Sequence, residues 1–312
     1  MRQKKGEQAV AQTVKQAQKI IIPSALRAYN IDDFLKLKIP PQENILAPII
    51  KTQSLSMIFA KRGVGKTHIA LGIAYAIASG GVFLKWESPK PRRVLYLDGE
   101  MPACTMQERL AQIVKSSEVE AAPDYFTLLT PDMQDMGMPD ISTKEGQAEI
   151  EPFIENVEVI IVDNISTLAR TGKENEAEGW LPIQGWALEM RSRGKSVLFV
   201  HHAGKGGQQR GTSRREDVLD LVLELRHPHE YQSDQGARFE VHFTKARHLT
   251  GNDAQPFEAK LLNGRWSHLS IEDAEMKKVL ELKAEGLSYR DIEEETGISK
   301  SKVQRMLTSH GT

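Results

Sequence analysis

Residues 59–70, which read FAKRGVGKTHIA, limit what this chain can fold into more than any other stretch. They fit the phosphate-binding pattern GxxxxGK(S/T), except that Ala60 replaces the first glycine. In this pattern the glycines let backbone amides point at phosphates, the lysine reaches the terminal phosphates, and the hydroxyl ligates Mg2+. The apolar run SLSMIF precedes the loop, and HIALGIAYAIASG follows it as a helix whose positive end favours anions. The order strand, loop, helix predicts a site for ATP and Mg2+ formed by Arg62, Gly63, Val64, Gly65, Lys66, Thr67 and His68.

Four short apolar runs between residues 54 and 266 end in polar groups. SLSMIF runs into the glycine loop, RVLYL into Asp98 and Glu100, VEVIIV into Asp163, and SVLFV into His201 and His202. Apolar runs that alternate with helical stretches indicate an α/β fold with a largely parallel central sheet. Ligands of such sheets bind beyond the carboxyl ends of the strands, so we expect these polar groups to meet at one rim.

Two carboxylates at this rim have candidate roles. Asp163, at the end of a buried strand, is placed to hold Mg2+ through water. Glu100 follows a strand expected to neighbour the loop, where a carboxylate could polarise a water in line with the γ-phosphate. Two alternatives stay open: Glu100 as a helix N-cap or first-turn acid ahead of CTMQERLAQIVK, and Asp98 as the base.

The segment AGKGGQQRGTSRR follows the two histidines and is strongly basic. Lys205, Arg210, Arg214 and Arg215 occur with no acid before Glu216. Basic side chains on a glycine-rich loop suit a nucleic-acid backbone, while the absence of an aromatic gives base stacking no support there. A solvated surface loop is the alternative.

The run RFEVHFTKARH reads as a strand with a basic end. Phe239, Val241 and Phe243 share one face by alternation, and the same parity brings Lys245 and Arg247 to that side past the strand end. The pair could therefore reach outward together. An exposed pair of basic strand residues without a further role is the alternative.

Residues 272–309 predict three short helices. Ser288 and Ser299 are candidate N-caps, and Gly297 makes a turn. The last helix carries Lys300, Lys302 and Arg305 and no acid, so it could enter a DNA major groove as in a helix-turn-helix. A three-helix module that docks on protein is the alternative.

Composition limits the remaining options. A net charge of −1 over 312 residues means that any nucleic-acid site must be a local patch. A single cysteine excludes an intramolecular disulfide, and the polar N-terminal stretch leads into no signal peptide or membrane span. We therefore expect a cytoplasmic protein without membrane contact. It would comprise an N-terminal extension (1–30), either a subunit-bridging helix or a tail, a catalytic domain (31–268) and the C-terminal module (269–312).

The stretches LAPII, FAKRGVGKT, VLYLDGEM, VIIVDNIS, VLFVHHAGKG and FTKARH, across about residues 45–250, resemble the RecA-like ATPases and ring helicases. The plasmid RepA-type hexameric helicases and their phage and mobile-element relatives are the nearest resemblance, and the C-terminal segment resembles the helix-turn-helix of resolvases and sigma-type regulators. The resemblance implies a RecA-like core in which Lys66 and Thr67 bind nucleotide and Mg2+. It also implies that Glu100 activates water, Asp163 supports the metal, and His202 or His201 senses the γ-phosphate.

The same resemblance implies a ring, by likeness of six subunits, with the basic loop lining a pore for single-stranded DNA. By the same resemblance, Lys245 and Arg247 would enter the neighbouring subunit's nucleotide site and neutralise charge there as an arginine finger does. In the RepA-type helicases the preceding strand is the other candidate for the finger; here it reads DVLDLVLELRHP, with Arg226 as its only arginine.

The sequence therefore predicts an ATP-dependent DNA motor, a replicative helicase of a plasmid, phage or mobile element. The alternative is an ATP-switched DNA-binding regulator or helicase loader without unwinding activity. A small-molecule kinase is disfavoured by the basic loop, the Lys245 and Arg247 pair and the C-terminal module.

Overall fold

The computed structural model describes residues 26–170, 177–203 and 216–309. The chain divides into two compact units, Met1–Pro41 and Gln42–Thr312. In the first unit, helix α1 (Ile31–Lys36) begins at Asn30, whose side chain accepts a hydrogen bond of 2.8 Å from the Asp33 amide. None of the residues of α1 is buried.

The second unit is built on a mixed sheet that has nine strands in the described part of the chain. The six strands with parallel pairing are β3 (Leu55–Ala60), β6 (Val94–Asp98), β7 (Phe126–Leu129), β8 (Val159–Asp163), β9 (Ser196–His202) and β10 (Leu221–Arg226). The antiparallel extension is β11 (Arg238–Ala246), β12 (Phe257–Leu262) and β13 (Arg265–Ser270). The order across the sheet is β13-β12-β11-β10-β3-β9-β8-β6-β7. The predicted α/β fold with a largely parallel central sheet is thereby confirmed.

Two short hairpins accompany the sheet. They are β1 (Asn44–Leu46) with β2 (Ile50–Lys51), and β4 (Val82–Phe83) with β5 (Trp86–Glu87). The core helices are α2 (Lys66–Ser79), α3 (Ala103–Ser116), α4 (Lys144–Ile154), α5 (Ile165–Leu168) and α6 (Ala177–Ser192). None of the helices in the described residues is long and apolar enough to cross a bilayer.

Both faces of the sheet are covered by hydrophobic cores. Along β3, Leu55, Met57 and Phe59 pack on one side, where Trp180 and Trp186 of α6 also lie. Ile58 and Ala60 pack on the other side against α2. Burial on both faces explains why β3 is almost wholly apolar rather than alternating. It also explains the rigid support beneath the glycine loop.

A bulge between β10 and β11 changes the predicted parity of the basic pair. Val222 pairs with Lys245, whereas Leu223 pairs with Phe243, so Thr244 is an extra residue in the ladder. A bulge of one residue shifts the following side chains to the other face. Phe243 remains on the face of α2, while Lys245 and Arg247 are turned to the opposite face, so the shared face predicted from alternation is wrong.

The chain ends in three helices, α7 (Ile271–Ala284), α8 (Tyr289–Thr296) and α9 (Lys300–Ser309), called here the C-terminal helices. Ser288 caps α8 through a capping box with Asp291, and Gly297 ends it in the left-handed region at φ 71°. They share a small core formed by Val279, Leu282, Ile292, Ile298, Val303 and Leu307. The predicted helices, the Ser288 cap and the turn at Gly297 are thereby observed.

Candidate functional site

The carboxyl ends of β3, β6, β8 and β9 meet at one rim of the sheet, where they surround a cavity of about 590 Å³. Most of the residues predicted to bind nucleotide or act on it line this cavity. They are Arg62, Gly63, Gly65, Lys66, Thr67, His68, Glu100, Asp163 and His202. The side chain of Val64 instead packs into the core. A parallel sheet therefore brings together side chains that lie up to 140 positions apart in the sequence.

Lys66 opens helix α2 and is largely buried. Its Nζ donates hydrogen bonds to the carbonyl oxygens of Ala60, at 3.2 Å, and Lys61, at 2.9 Å. Burial lowers the pKa of this ammonium group to about 8, and the nearby Asp163 and Glu100 carboxylates oppose that shift. A desolvated cation at a helix N-terminus gains strongly from a phosphate group.

Gly65 shows why the loop needs glycine at this position. Its φ of 122° is a conformation that side chains rarely adopt, and an added Cβ would lie 2.8 Å from Cε1 of Phe239. The Phe239 ring thus occupies the space that a side chain at this position would need. This backbone fits the phosphate cradle predicted from the glycine pattern.

Asp163 lies buried at the end of β8 and accepts a hydrogen bond of 2.7 Å from Tyr96 Oη. Burial raises the pKa of Asp163 to about 6, while the hydrogen bonds from Tyr96 and Thr67 counteract the shift. The Thr67 hydroxyl and the Asp163 carboxylate thus lie side by side. Oxygen donors of this kind suit Mg2+, so these residues fit the predicted metal.

Glu100 reaches the cavity from the turn after β6. Its Oε2 accepts a hydrogen bond of 2.5 Å from Asn164 Nδ2 and lies 3.6 Å from His202 Nε2. The expectation that its strand would neighbour the glycine loop is wrong, because β9 and β8 lie between β3 and β6. The carboxylate nevertheless faces the loop because it leans across the end of β8, where Asn164 holds it.

Asp98 has a different environment from Glu100. It is 2 % exposed and accepts hydrogen bonds from Thr130 Oγ1 at 2.8 Å and from the Glu100 and Met101 amides, each at 3.2 Å. These bonds shape the turn that presents Glu100. Helix α3 begins at Ala103, whose backbone amide donates a hydrogen bond to the Asp132 carboxylate. Glu100 lies before the helix, so neither the N-cap nor the first-turn alternative for it is observed.

The two histidines at the end of β9 differ in position. His202 lines the cavity, whereas His201 is fully buried beside β3. Burial lowers the pKa of His202, and the Lys66 charge adds to the effect. His202 Nδ1 and Asn164 Oδ1 are buried and make no hydrogen bond within the described part of the chain. Unsatisfied buried polar atoms at a cavity wall fit a site whose remaining partners are a ligand or water.

A family model described as an AAA domain, AAA_25, matches residues 23–208, more than half of the chain. The chain belongs to the AAA_25 family of AAA domains. The family and the cavity together make it a P-loop ATPase. ATP and Mg2+ are the ligands that the family implies, and the cavity residues fit both.

Two solved structures are similar to this AAA domain in fold. One is the flagellar accessory protein FlaH from Methanocaldococcus jannaschii, at 12% identity and a TM-score of 0.48, covering 68% of this chain and 86% of that one. The other is a KaiC-like protein from Pyrococcus horikoshii, at 13% identity and a TM-score of 0.48, covering 72% of this chain and 93% of that one.

The cavity also has lining residues that the sequence analysis missed, notably Arg109, Asn164 and Tyr231. Arg109 makes no hydrogen bond or ion pair to another described residue, and burial lowers its pKa despite the nearby Asp163 and Asp98 carboxylates. The sequence could have indicated Arg109, because Pro102, Thr105 and Arg109 are three and four residues apart. Residues at this spacing share one face of a helix, and here that face lines the cavity. Tyr231 had no such signal, since it comes from a loop distant in sequence.

Other predicted residues lie away from the cavity of the AAA domain. Strand β11 runs antiparallel to β10, so Lys245 and Arg247 come to the sheet edge opposite the glycine loop. Lys245 Nζ donates to the Glu216 carbonyl. Arg247 donates to the Asp217 carbonyl at 2.7 Å and lies 3.5 Å from the Asp220 carboxylate.

The predicted nucleic-acid residues fall into two groups. Lys205, Arg210, Arg214 and Arg215 lie outside the described residues. On α9, Lys300 and Arg305 are exposed, but Lys302 forms an ion pair with Glu275 of α7. Lys302 therefore joins two helices, and the free basic face of α9 is smaller than the sequence suggested.

Proposed function

We propose that this ATPase is a ring-forming DNA motor, a replicative helicase of a plasmid, phage or mobile element. The observation that carries the proposal is the position of Lys245 and Arg247. A strand of six residues spans about 20 Å, so the pair lies about that far from the glycine loop of its own chain. Such cations are too far away to reach the nucleotide site of their own chain, so a nucleotide site that they complete would belong to another subunit. A head-to-tail contact that is repeated by a closing rotation gives a ring, for which six subunits are proposed by resemblance.

The described side chains suggest how hydrolysis would proceed. Lys66 and the glycine-loop amides bind the phosphates, and Thr67 and Asp163 would hold Mg2+. When bound, Mg2+ neutralises charge on the phosphate oxygens. Glu100 accepts a proton from the attacking water, while Asn164 fixes the orientation of its carboxylate. His202, 3.6 Å from Glu100, is placed to respond to the terminal phosphate, and Arg247 of a neighbour would offset the charge that develops.

The connection from β9 to β10 supports a link between hydrolysis and DNA. The segment with Lys205, Arg210, Arg214 and Arg215 follows Ala203, next to His202 in the cavity. It leads into Glu216, whose carbonyl accepts a hydrogen bond from Lys245. DNA bound by this segment would therefore affect both of its ends. One end joins His202 in the chain's own nucleotide site, and the other contacts Lys245, which is proposed to enter a neighbour's nucleotide site.

The same proposal assigns a role to each region of the chain. Residues 31–268 form the motor, residues 269–312 add a duplex contact through Lys300 and Arg305 on α9, and residues 1–30 bridge subunits. The protein would work in the cytoplasm without membrane contact. The exposed α9 cations support the duplex contact, because Lys302 is already paired.

The test is steady-state ATP hydrolysis with and without single-stranded DNA, together with strand separation on a duplex that carries a free tail. We expect single strands to stimulate hydrolysis at least tenfold and the duplex to be unwound. DNA binding without stimulation or unwinding would instead support an ATP-switched regulator or helicase loader.

A further inference from the structure

The segment between β10 and β11, residues 227–237, forms part of the nucleotide cavity wall. Tyr231, Gly236 and Ala237 line the cavity. The Tyr231 ring stacks on His227, with centroids 3.5 Å apart and planes 11° from parallel, and its hydroxyl donates to the Gly236 carbonyl at 2.9 Å. These two contacts fix the orientation of Tyr231 at the nucleotide cavity. The proposed hydrolysis mechanism gives this residue no role.

The other side of this segment faces the C-terminal helices. Pro228, His229 and Glu230 line a second cavity, of about 430 Å³, which the turn between α8 and α9 also lines. At Gly297 in that turn, an added Cβ would lie 3.3 Å from the His229 ring. The imidazole therefore lies next to Gly297, in the space that a side chain there would need, so a displacement of either one would change the packing of the other.

An ion-pair network makes the segment stiff. Arg238 lies 2.7 Å from Glu230 and 2.8 Å from Glu258, and all three side chains are at least 86 % buried. Buried charges that satisfy one another are costly to separate, because breaking one pair leaves an uncompensated charge. Glu230 is thereby tied to β11 and β12, and its neighbours Tyr231 and His229 belong to a stiff segment rather than to a loose loop.

A second connection links the glycine loop to the same helices. His68, the residue after Thr67, contacts Trp266 edge to face with ring centroids 6.5 Å apart. Trp266 lies on β13, and β13 continues without a break into α7, whose N-cap is Ser270. Two parts of the cavity wall thus lie against the C-terminal region. His68 contacts β13, which leads into α7, and the segment 227–237 lies next to the turn between α8 and α9.

We infer that Tyr231 contacts the bound nucleotide and that the segment 227–237 couples nucleotide binding to the C-terminal helices through the contact of His229 with Gly297. The coupling itself does not depend on the proposed function. Only one consequence rests on it, namely that bound nucleotide would control the duplex contact proposed for α9. Coupling between two sites is reciprocal, so a partner that binds these helices in their nucleotide-bound arrangement also tightens nucleotide binding.

Hydrogen exchange on the full chain tests the coupling without DNA. The probe is a non-hydrolysable ATP analogue with Mg2+, and the readout is exchange in peptides covering residues 285–303. In the wild type we expect the analogue to slow exchange in these peptides about fivefold or more. The same exchange with and without the analogue would overturn the inference.

Two variants separate the coupling from nucleotide binding. His229→Ala should bind the analogue within about twofold of the wild type, yet lose most of the change in residues 285–303. Gln232→Ala, an exposed neighbour in the same segment, should keep it. If His229→Ala keeps the full change, the path through His229 is wrong.

Tyr231→Ala should weaken analogue binding about tenfold, the loss of roughly one good contact. Unchanged affinity would overturn the nucleotide contact. These measurements require neither hydrolysis nor DNA, so a failure of DNA-stimulated hydrolysis would refute the motor while the exchange results stand by themselves.

Discussion

Glu100→Gln is the substitution that most directly tests the hydrolytic site. The change removes the negative charge and the basicity of the carboxylate but keeps its size. The glutamine carbonyl can still accept the 2.5 Å hydrogen bond that Asn164 donates to Glu100. The side chain is 60 % exposed, so the substitution buries no new polar group. Any loss of activity would therefore report the missing base rather than a distorted fold.

The expected magnitude follows from the role of a general base, which contributes about 10²- to 10⁴-fold to a rate. At 1.36 kcal/mol for each factor of ten, this corresponds to about 3–5 kcal/mol of transition-state stabilisation. Nucleotide affinity should stay equal or rise, because a carboxylate that repels the phosphates is removed. Affinity is measured with a fluorescent ATP analogue, and hydrolysis by single-turnover phosphate release with Mg2+.

The matched control is Glu108→Gln, an exposed acid on α3 that does not line the cavity. It should hydrolyse ATP at the wild-type rate. If Glu100→Gln turns over within about twofold of the wild type, Glu100 is not the base. The hydrogen bonds of Asp98 to Thr130 and to the turn amides make it the next residue to test.

Three further substitutions test separate parts of the structure. Lys66→Ala should weaken nucleotide binding at least about 100-fold, because a buried cation at the phosphates is lost. The control Lys61→Ala, at an exposed residue, should leave binding unchanged. Tight nucleotide binding by Lys66→Ala would contradict the assignment of the loop. Arg247→Ala, inactive alone, should regain about a quarter of wild-type hydrolysis when mixed equally with Lys66→Ala, since some sites then combine an intact loop with a neighbour's intact arginine. No recovery in mixed rings would argue against a finger in trans. Ser288→Ala should speed hydrogen exchange in α8 about fivefold, the equivalent of about 1 kcal/mol for a lost N-cap, and unchanged exchange would count against the capping box.

Much of the cavity could be predicted because its parts are local in the sequence. The glycine loop lies between a strand and a helix, and each polar pair directly follows an apolar run. Where the sequence analysis failed, the cause was non-local. The order of strands placed β9 and β8 between β3 and β6, and a single extra residue at Thr244 turned Lys245 to the other face.

The amino-acid sequence by itself determined the phosphate-binding loop, the α/β class, the polar strand ends and the three C-terminal helices. Each of these is specified by residues within about one strand or helix of one another, where backbone propensity and hydrophobic periodicity act. Only the tertiary structure decided that Asn164 holds Glu100, that Arg109 and Tyr231 enter the cavity, and that Lys302 pairs with Glu275. These contacts depend on strand order, strand register and helix packing, which arise from the burial of both sheet faces at once.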